Sequence, residues 1–228
     1  MNVAIFTLFL LLEGCFLCGF FLLGMVSFRK RKKRRYDFLT HFPFEMGESL
    51  RLSDYLSRLF LAAYELLSVA AVFYLLYARI ALPSVSGRLI TLAIFFFLRG
   101  AAALGMIFVP AYAYKPHLCL VVGHMAFALI STLSTAFFLR DLGLASNQVY
   151  GNAFMIACCV LVLAEALLML NPFLARWSKL KAEMDEDGTI TTKRPRPFVL
   201  AATEWASLFI DMATSLLWLL GCFVFTLL

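Results

Sequence analysis

Apolar residues fill six long runs of this chain, and short polar breaks separate the runs. The runs cover residues 3–28, 58–82, 89–114, 118–139, 150–170 and 198–228. Each run is long enough for an α-helix to cross the roughly 30 Å hydrocarbon core of a bilayer. The breaks contain proline, glycine or charged residues, as turns between helices do. The pattern predicts an all-α polytopic transmembrane bundle of six helices, forming one integral membrane domain over residues 1–228.

Composition agrees with this pattern and excludes a soluble domain. Hydrophobic residues make up 63% of the chain and aromatic residues 15%, more apolar surface than a soluble domain of this length could cover. The six cysteines lie within or at the ends of the apolar runs, so we interpret them as small packing residues. The first run is interpreted as a retained helix, because its charges follow the apolar residues instead of preceding them as in a signal peptide.

A block of seven consecutive cations follows the first run and predicts the orientation of the chain. Positive segments are retained on the cytoplasmic side of a membrane. We therefore expect both termini to be extracytoplasmic, loops 29–57 and 171–197 to be cytoplasmic, and the membrane to be the plasma membrane. Sixteen of the 20 Lys and Arg residues then lie in predicted cytoplasmic segments, which agrees with this orientation. The block consists of Arg29, Lys30, Arg31, Lys32, Lys33, Arg34 and Arg35.

The first cytoplasmic loop places aromatic residues directly after its cations. The aromatic residues are Tyr36, Phe38, Phe42 and Phe44. This mixture suits anionic lipid headgroups, where each cation near the surface contributes about 1 kcal/mol. We expect the basic block to lie on the lipid surface. A membrane or cytosolic protein partner is an open alternative, and no nucleic acid is expected.

The second cytoplasmic loop contains closely spaced carboxylates. Glu183, Asp185 and Asp187, followed by Gly188, fit the first half of a calcium-binding loop. Arg194 stands where the closing glutamate of such a loop is required. We therefore favour a solvated loop with a tight turn at Asp187 and Gly188.

Ionisable residues inside the apolar runs are the most informative feature for function. A charge at the middle of a bilayer costs about 2.5 to 3.5 kcal/mol, so such a residue is expected to face protein or water. Seven residues form this buried ionisable set: Glu13, Glu65, Arg99, His124, Glu165, Glu204 and Asp211.

A rise of 1.5 Å per residue from the predicted helix ends places this set at two depths. The inner level, roughly 8 to 11 Å deep, holds Glu65, His124, Glu165 and Glu204, and the middle level, roughly 20 to 23 Å deep, holds Glu13, Arg99 and Asp211. We expect Arg99 to pair with Glu13 or Asp211. Carboxyls brought together at the inner level would suit a proton or cation relay. Zinc or a di-metal pair is an alternative there, but no metal-binding motif supports it.

The sixth run carries the clearest polar stripe. Its polar residues recur at steps of three and four, which places them on one helix face. The stripe consists of Glu204, Ser207, Asp211, Thr214, Ser215 and Trp218, and the fourth run has a milder counterpart in His124, Ala128, Ser131 and Thr135. We expect the sixth-run stripe to face the protein interior. It indicates either a hydrated cavity wall or hydroxyl groups that hold helices together.

No catalytic or cofactor motif is present in the sequence, so no cofactor is expected and an enzyme is less favoured. The interpretation we favour is a small-solute or ion permease, or the membrane subunit of a transporter, that uses the buried carboxylates with Arg99 as counter-charge. A non-transporting scaffold, sensor or accessory subunit is the alternative. A membrane-embedded hydrolase or transferase built on the Glu and His residues is the third hypothesis.

Overall fold

Six α-helices make up most of this protein in the computed structural model, which describes residues 3–33, 35–43, 52–79, 83–109, 114–145, 149–172, 174, 183–184, 190–191 and 197–227. All six are long and apolar enough to cross a membrane, so the predicted number and order of helices are confirmed. The helices are α1 (Val3–Lys32), α2 (Leu52–Arg79), α3 (Pro83–Phe108), α4 (Tyr114–Ala145), α5 (Tyr150–Met169) and α6 (Val199–Leu227). Between α5 and α6, strands β1 (Glu183–Met184) and β2 (Ile190–Thr191) pair antiparallel.

The first four cations of the basic block belong to α1, which ends at Lys32 and not at the predicted residue 28. Lys and Arg are good helix formers, and positive charge is favourable at a helix C-terminus. Lys33 follows with a φ of 53°, and its N–H donates to the Arg29 carbonyl at 3.0 Å, which is a left-handed helix cap. The side chain of Arg31 and the whole of Arg34 lie outside the described residues.

The predicted break at residues 140–143 is wrong, because α4 continues through it to Ala145. Gly143 serves the packing of two helices instead of a turn. A Cβ atom on Gly151 of α5 would stand 2.9 Å from the Cα atom of Gly143. The absence of side chains at both positions therefore lets α4 and α5 approach closely.

The helices form an up-and-down bundle. Sequence neighbours pack against each other, and α6 packs against α1, α4 and α5. The rings of Phe6 and Tyr74, near the start of α1 and the end of α2, lie 6.1 Å apart, as antiparallel packing requires. The basic end is defined as the end where α1 finishes and α2 begins. Of the residues in the most apolar stretch of α6, 56% are buried, against 50% in α3, 17% in α1 and 11% in α5. α6 and α3 are therefore the most buried helices.

Two apolar clusters fill the two ends of the bundle. The cluster at the opposite end includes Phe6, Leu75, Leu89, Phe96 and Trp218. The cluster at the basic end includes Phe20, Tyr64, Ile107, Trp205 and Leu208. Glu13 lies on α1, Arg99 on α3 and Asp211 on α6. Along each of these helices, the charged residue stands between the residues that pack in one cluster and those that pack in the other. Apolar packing therefore flanks the middle-level charges on both sides.

The segment of residues 35–43, called the docked segment below, folds against the basic end of the bundle. The Phe198 N–H donates to the Leu39 carbonyl at 2.7 Å. Phe42 is fully buried, with its ring 5.4 Å from that of Phe198 and 6.3 Å from that of His117. Phe42 thus packs inside the protein, beside the starts of α4 and α6. Phe44 lies outside the described residues.

Trp205 of α6 anchors the docked segment through its indole N–H. Trp205 Nε1 donates to the His41 carbonyl at 2.9 Å and lies 3.2 Å from Tyr36 Oη. Tyr36 Oη in turn donates to the His41 carbonyl at 3.0 Å. These contacts satisfy polar groups of the segment that would otherwise be buried without partners.

The cysteines do not share one environment. Cys158 and Cys222 are buried, as the packing interpretation requires, but Cys15, Cys18, Cys119 and Cys159 are exposed on the helix surfaces. For those four the packing interpretation is wrong, and an apolar thiol is equally suited to a lipid-facing surface. All six are free thiols.

Most of the second loop, 171–197, lies outside the described residues. The positions on which the calcium interpretation depends are among them: Asp185, Asp187, Gly188 and Arg194. That interpretation and the predicted turn therefore stay predictions.

Candidate functional site

All seven residues of the buried ionisable set lie inside the bundle. Each is at most 5% exposed, and Arg99, Glu165 and Asp211 are 0% exposed. Every helix contributes at least one member: Glu13 on α1, Glu65 on α2, Arg99 on α3, His124 on α4, Glu165 on α5, and Glu204 and Asp211 on α6. The middle of each helix is otherwise apolar, so turning these ionisable positions toward protein avoids placing a charge in lipid.

Arg99, Asp211 and His124 form the centre of the site. Arg99 Nη1 lies 3.5 Å from Asp211 Oδ1, and His124 Nε2 lies 2.6 Å from Asp211 Oδ2. Arg99 Nη2 donates to Ser215 Oγ at 3.2 Å, and the guanidinium stands 4.2 Å from the centroid of the Phe96 ring. One acid on α6 is thus shared by a cation from α3 and an imidazole from α4.

This centre joins residues that the sequence analysis placed at different depths. His124 was expected at the inner level and Asp211 at the middle level, and that separation is wrong for this pair. α4 begins at Tyr114, four residues before the predicted start, which moves His124 about 6 Å deeper at 1.5 Å per residue.

Glu13 and Glu65 approach the centre from α1 and α2. Ser68 Oγ donates to Glu13 Oε1 at 2.8 Å. Glu65, one turn before Ser68, has no hydrogen-bond partner for either carboxyl oxygen among the residues that the structure describes. Arg99 and Asp211 lie within electrostatic range of Glu65. The sequence analysis missed Ser68, although its spacing of three from Glu65 places it on the same helix face.

Glu165 joins the site from α5 through a hydroxyl of the α6 stripe. Ser207 Oγ donates to Glu165 Oε1 at 2.6 Å. Asp211 and His124 lie within electrostatic range of Glu165. The other carboxyl oxygen, Oε2, has no hydrogen-bond partner within the described part of the chain.

Glu204 has a separate neighbour near the basic end. Its Oε1 lies 3.6 Å from His117 Nε2, and His117 Nδ1 lies 3.0 Å from the Val109 carbonyl. His117 is itself buried, with only 3% of its surface exposed. The structure therefore pairs Glu204 with His117.

The α6 stripe faces the interior, and its members reach three different helices. Ser207 contacts α5, Asp211 and Ser215 contact α3, and Thr214 Oγ1 lies 3.0 Å from Thr132 Oγ1 of α4. The sequence analysis missed Thr132. It named Ser131 and Thr135 instead, but each of these hydroxyls donates at 2.9 Å to a carbonyl of its own helix. Those two residues therefore act locally on the α4 backbone.

A small cavity connects this polar interior with the basic end. The volume that the centre of a water molecule can occupy inside it is about 10 Å³. This is roughly the volume that one water requires. His124 and Ser207 line it on the side of the network, and Glu204 also faces it. Pro43 of the docked segment lines it at the basic end. The docked segment therefore lies against one side of the cavity that His124 lines.

Comparison with protein-family models, curated proteins and solved structures finds no match to this chain. The assignment of a function therefore depends on the site itself. The described residues contain no group of three or more His, Cys, Asp or Glu side chains placed to hold a metal ion. The zinc or di-metal alternative thus has no geometric support in that part of the chain.

The charge balance of the site is acidic. Four carboxyls (Glu13, Glu65, Glu165 and Asp211) face two basic side chains (Arg99 and His124) within electrostatic range of one another in the described helices. Ionised carboxylates in a poorly hydrated interior require compensation by a positive charge. The arrangement can therefore take up protons.

The basic block lies at the surface of the basic end. The side chains of Arg29, Lys30, Lys32, Lys33 and Arg35 are exposed. Their exposure leaves them accessible to solvent or to a headgroup, and their contact with lipid stays a prediction.

Proposed function

We propose that this chain is a multi-pass membrane permease for a small solute or ion, or the membrane subunit of such a transporter. The observation that supports the proposal best is an acid-rich network of buried side chains, drawn from every helix, with His124 and Ser207 on a cavity at the basic end. A permease requires a polar path inside an apolar bundle, and ionisable residues within a membrane mark such paths.

Incomplete hydrogen bonding within the network favours transport over a purely structural role. Buried polar groups that only hold a fold together are normally hydrogen-bonded, and leaving one without a partner costs about 1 to 3 kcal/mol. Neither oxygen of Glu65, and neither Nε nor Nη1 of Arg99, has a hydrogen-bond partner among the described residues. Side chains with unused bonding capacity are available to bind a passing ion.

A non-transporting scaffold or accessory subunit is the second candidate. The observations that favour it are the full burial of Arg99 and Asp211 and the small size of the cavity. A dry ion pair can clamp α3 to α6 without moving any solute. No observation favours the third hypothesis, a membrane-embedded hydrolase or transferase.

The proposal includes an orientation. The basic end faces the cytoplasm of a plasma membrane, and the exposed cations of the basic block rest on anionic headgroups. A cytosolic or membrane protein partner at this end is compatible with the same charges. In this orientation the cavity faces the cytoplasm, and the apolar cluster around Phe96 and Trp218 seals the outer side.

Reconstitution of the full chain into liposomes tests the proposal. Encapsulated dyes report proton, Na⁺ and K⁺ flux under an imposed membrane potential. We expect a flux above that of empty liposomes, which Asp211→Asn abolishes. Asp141→Asn is the matched control, because it removes the same charge from a partly exposed residue that pairs with Arg88 at 2.9 Å. Equal flux in both variants would refute a role for the network, and absence of flux for all three ions would favour the scaffold.

A further inference from the structure

We propose that Glu65 is the proton-binding carboxyl of this network, and that Arg99 exchanges partners between Asp211 and Glu65 as Glu65 gains or loses its proton. This inference deepens the proposed function and rests on it. The ligand is the proton, taken up from water at the basic end. The structure corresponds to the arrangement in which Arg99 is held by Asp211 and Ser215.

Arg99 makes only long contacts with its present partners. A guanidinium carries five N–H donors, and a structural clamp on a carboxylate usually uses two of them in parallel bonds at about 2.7 to 2.9 Å. Arg99 instead has one ionic contact to Asp211 at 3.5 Å and one hydrogen bond to Ser215 at 3.2 Å. Its Nε and Nη1 groups have no hydrogen-bond partner in the described part of the chain. The Nε donor is therefore available to another acid, and Nη1 is held only by the 3.5 Å ionic contact with Asp211.

Glu65 is the acid best placed to compete for Arg99. It is 1% exposed, and among the described residues both of its oxygens are without hydrogen-bond partners. Glu13, by contrast, already accepts a hydrogen bond from Ser68 at 2.8 Å. A buried carboxyl with no such partner is far less costly as the neutral acid than as the carboxylate.

Close packing of α2 and α3 brings the two residues together. Gly100 follows Arg99, and a Cβ atom there would stand 2.8 Å from Val69 Cγ2 and 3.9 Å from the Glu65 carbonyl oxygen. The α2 and α3 backbones are therefore closely packed at the turn that carries Arg99 and Glu65.

The charged and titratable groups around Glu65 come from all sides. Glu13 of α1 and Tyr64 of α2 lie within electrostatic range of Arg99, as Glu65 does. Arg99 of α3, His124 of α4 and Asp211 of α6 lie within electrostatic range of Glu65. The two cations and the competing acid Asp211 thus decide which carboxyl remains ionised.

The step balances as a simple proton transfer. When a hydronium ion in the water at the cavity side of His124 gives its proton to the Glu65 carboxylate, one hydronium O–H bond breaks, the Glu65 O–H bond forms, and a water molecule is left. Arg99 then has Asp211 as its stronger partner, as in the structure. When the Glu65 O–H bond breaks and its proton passes to a water molecule to form hydronium, the Glu65 carboxylate attracts Arg99, and Asp211 retains His124 at 2.6 Å. Each cycle moves one proton and one guanidinium.

Infrared difference spectroscopy of the purified full chain in lipid nanodiscs tests this inference without requiring transport. The C=O stretch of a protonated carboxyl is measured across a pH titration. We expect a band that disappears in Glu65→Gln and remains in Glu13→Gln and Glu165→Gln, which are matched losses of a buried carboxyl. If Glu65→Gln does not fold, Glu65→Asp retains a carboxyl one methylene shorter, and the band should shift.

Asp211→Asn tests the exchange of partners. Without the Asp211 charge, Arg99 should hold Glu65 ionised, so the Glu65 band should be lost at the pH where the natural chain shows it. A band that persists in Glu65→Gln, or that is unshifted in Glu65→Asp, would overturn the assignment of the proton site. A Glu65 band that persists in Asp211→Asn would overturn the exchange. The infrared result is independent of flux, so failure of the permease proposal is seen separately in liposomes.

Discussion

The contact between Arg99 and Asp211 gives a quantitative prediction. Arg99→Leu removes the cation from Asp211 and the stacking on Phe96, and breaking one half of a buried ion pair costs about 3 to 5 kcal/mol. Because Asp211 keeps His124 at 2.6 Å, we expect the lower part of this range, about 3 kcal/mol. Asp211→Asn leaves Arg99 with Ser215 as its remaining hydrogen-bond acceptor among the described residues, so we expect about 4 kcal/mol.

The double variant Arg99→Leu with Asp211→Asn distinguishes a direct pair from two independent losses. Removal of both partners leaves no uncompensated charge in the pair, so the double variant should be about 2 to 3 kcal/mol more stable than the sum of the single variants predicts. Glu13→Gln combined with Arg99→Leu is the control. Glu13 lies within electrostatic range of Arg99 but is bonded to Ser68, so the coupling between these two changes should be smaller than that between Arg99→Leu and Asp211→Asn.

The free energy of unfolding is measured by titrating detergent-solubilised protein with a denaturing detergent and following tryptophan fluorescence. Trp205 and Trp218 are both buried, so unfolding changes their environment. Additivity of the Arg99 and Asp211 changes would refute the pairing. A larger coupling between Arg99 and Glu13 would show that Glu13 is the effective counter-charge.

Three further predictions follow from the cavity, the docked segment and the orientation. In a cysteine-free background, Ser207→Cys should react with a membrane-impermeant thiol reagent from the basic end, because Ser207 lines the cavity. Thr214→Cys should be protected, because Thr214 is bonded to Thr132. Equal labelling of the two would contradict the cavity assignment. Trp205→Phe keeps an aromatic ring but removes the indole donor to His41. Because Tyr36 still donates to the same carbonyl, the change should lower the free energy of unfolding by about 0.5 to 1.5 kcal/mol and speed the labelling of Ser207→Cys. An unchanged rate would show that the docked segment is not a barrier. A reporter placed after Leu228 should behave as extracytoplasmic, and cytoplasmic activity would reverse the proposed orientation.

Local patterns predicted α6 well because they depend on one helix alone. A polar stripe at steps of three and four defines a helix face whatever surrounds it, and the burial of Ser207, Asp211 and Thr214 agrees with that face. The ends of α1 and α4 were predicted less well. Both helices extend through charged residues, where apolar length no longer marks the boundary and helix propensity with end-charge effects takes over.

The partners of the buried charges could not be predicted in the same way. The depth calculated from helix rise correctly named Asp211 as a possible partner of Arg99. The same calculation placed His124 at a different depth from Asp211. It also gave no reason to pair Glu13 with Ser68 or Glu204 with His117. Each pairing depends on how two helices are rotated and offset against each other, which is a property of their packed surfaces.

The sequence by itself therefore determined that the protein has six apolar helices and that the ionisable residues within them turn inward. Both conclusions depend on local properties, namely the length of an apolar run and the cost of a charge in lipid. Only the tertiary structure decided that Asp211 is shared by Arg99 and His124, that Glu65 has no hydrogen-bond partner in the described chain, and that the docked segment lies against the cavity. These are consequences of contacts between residues far apart in the chain, and packing of the whole bundle selects them.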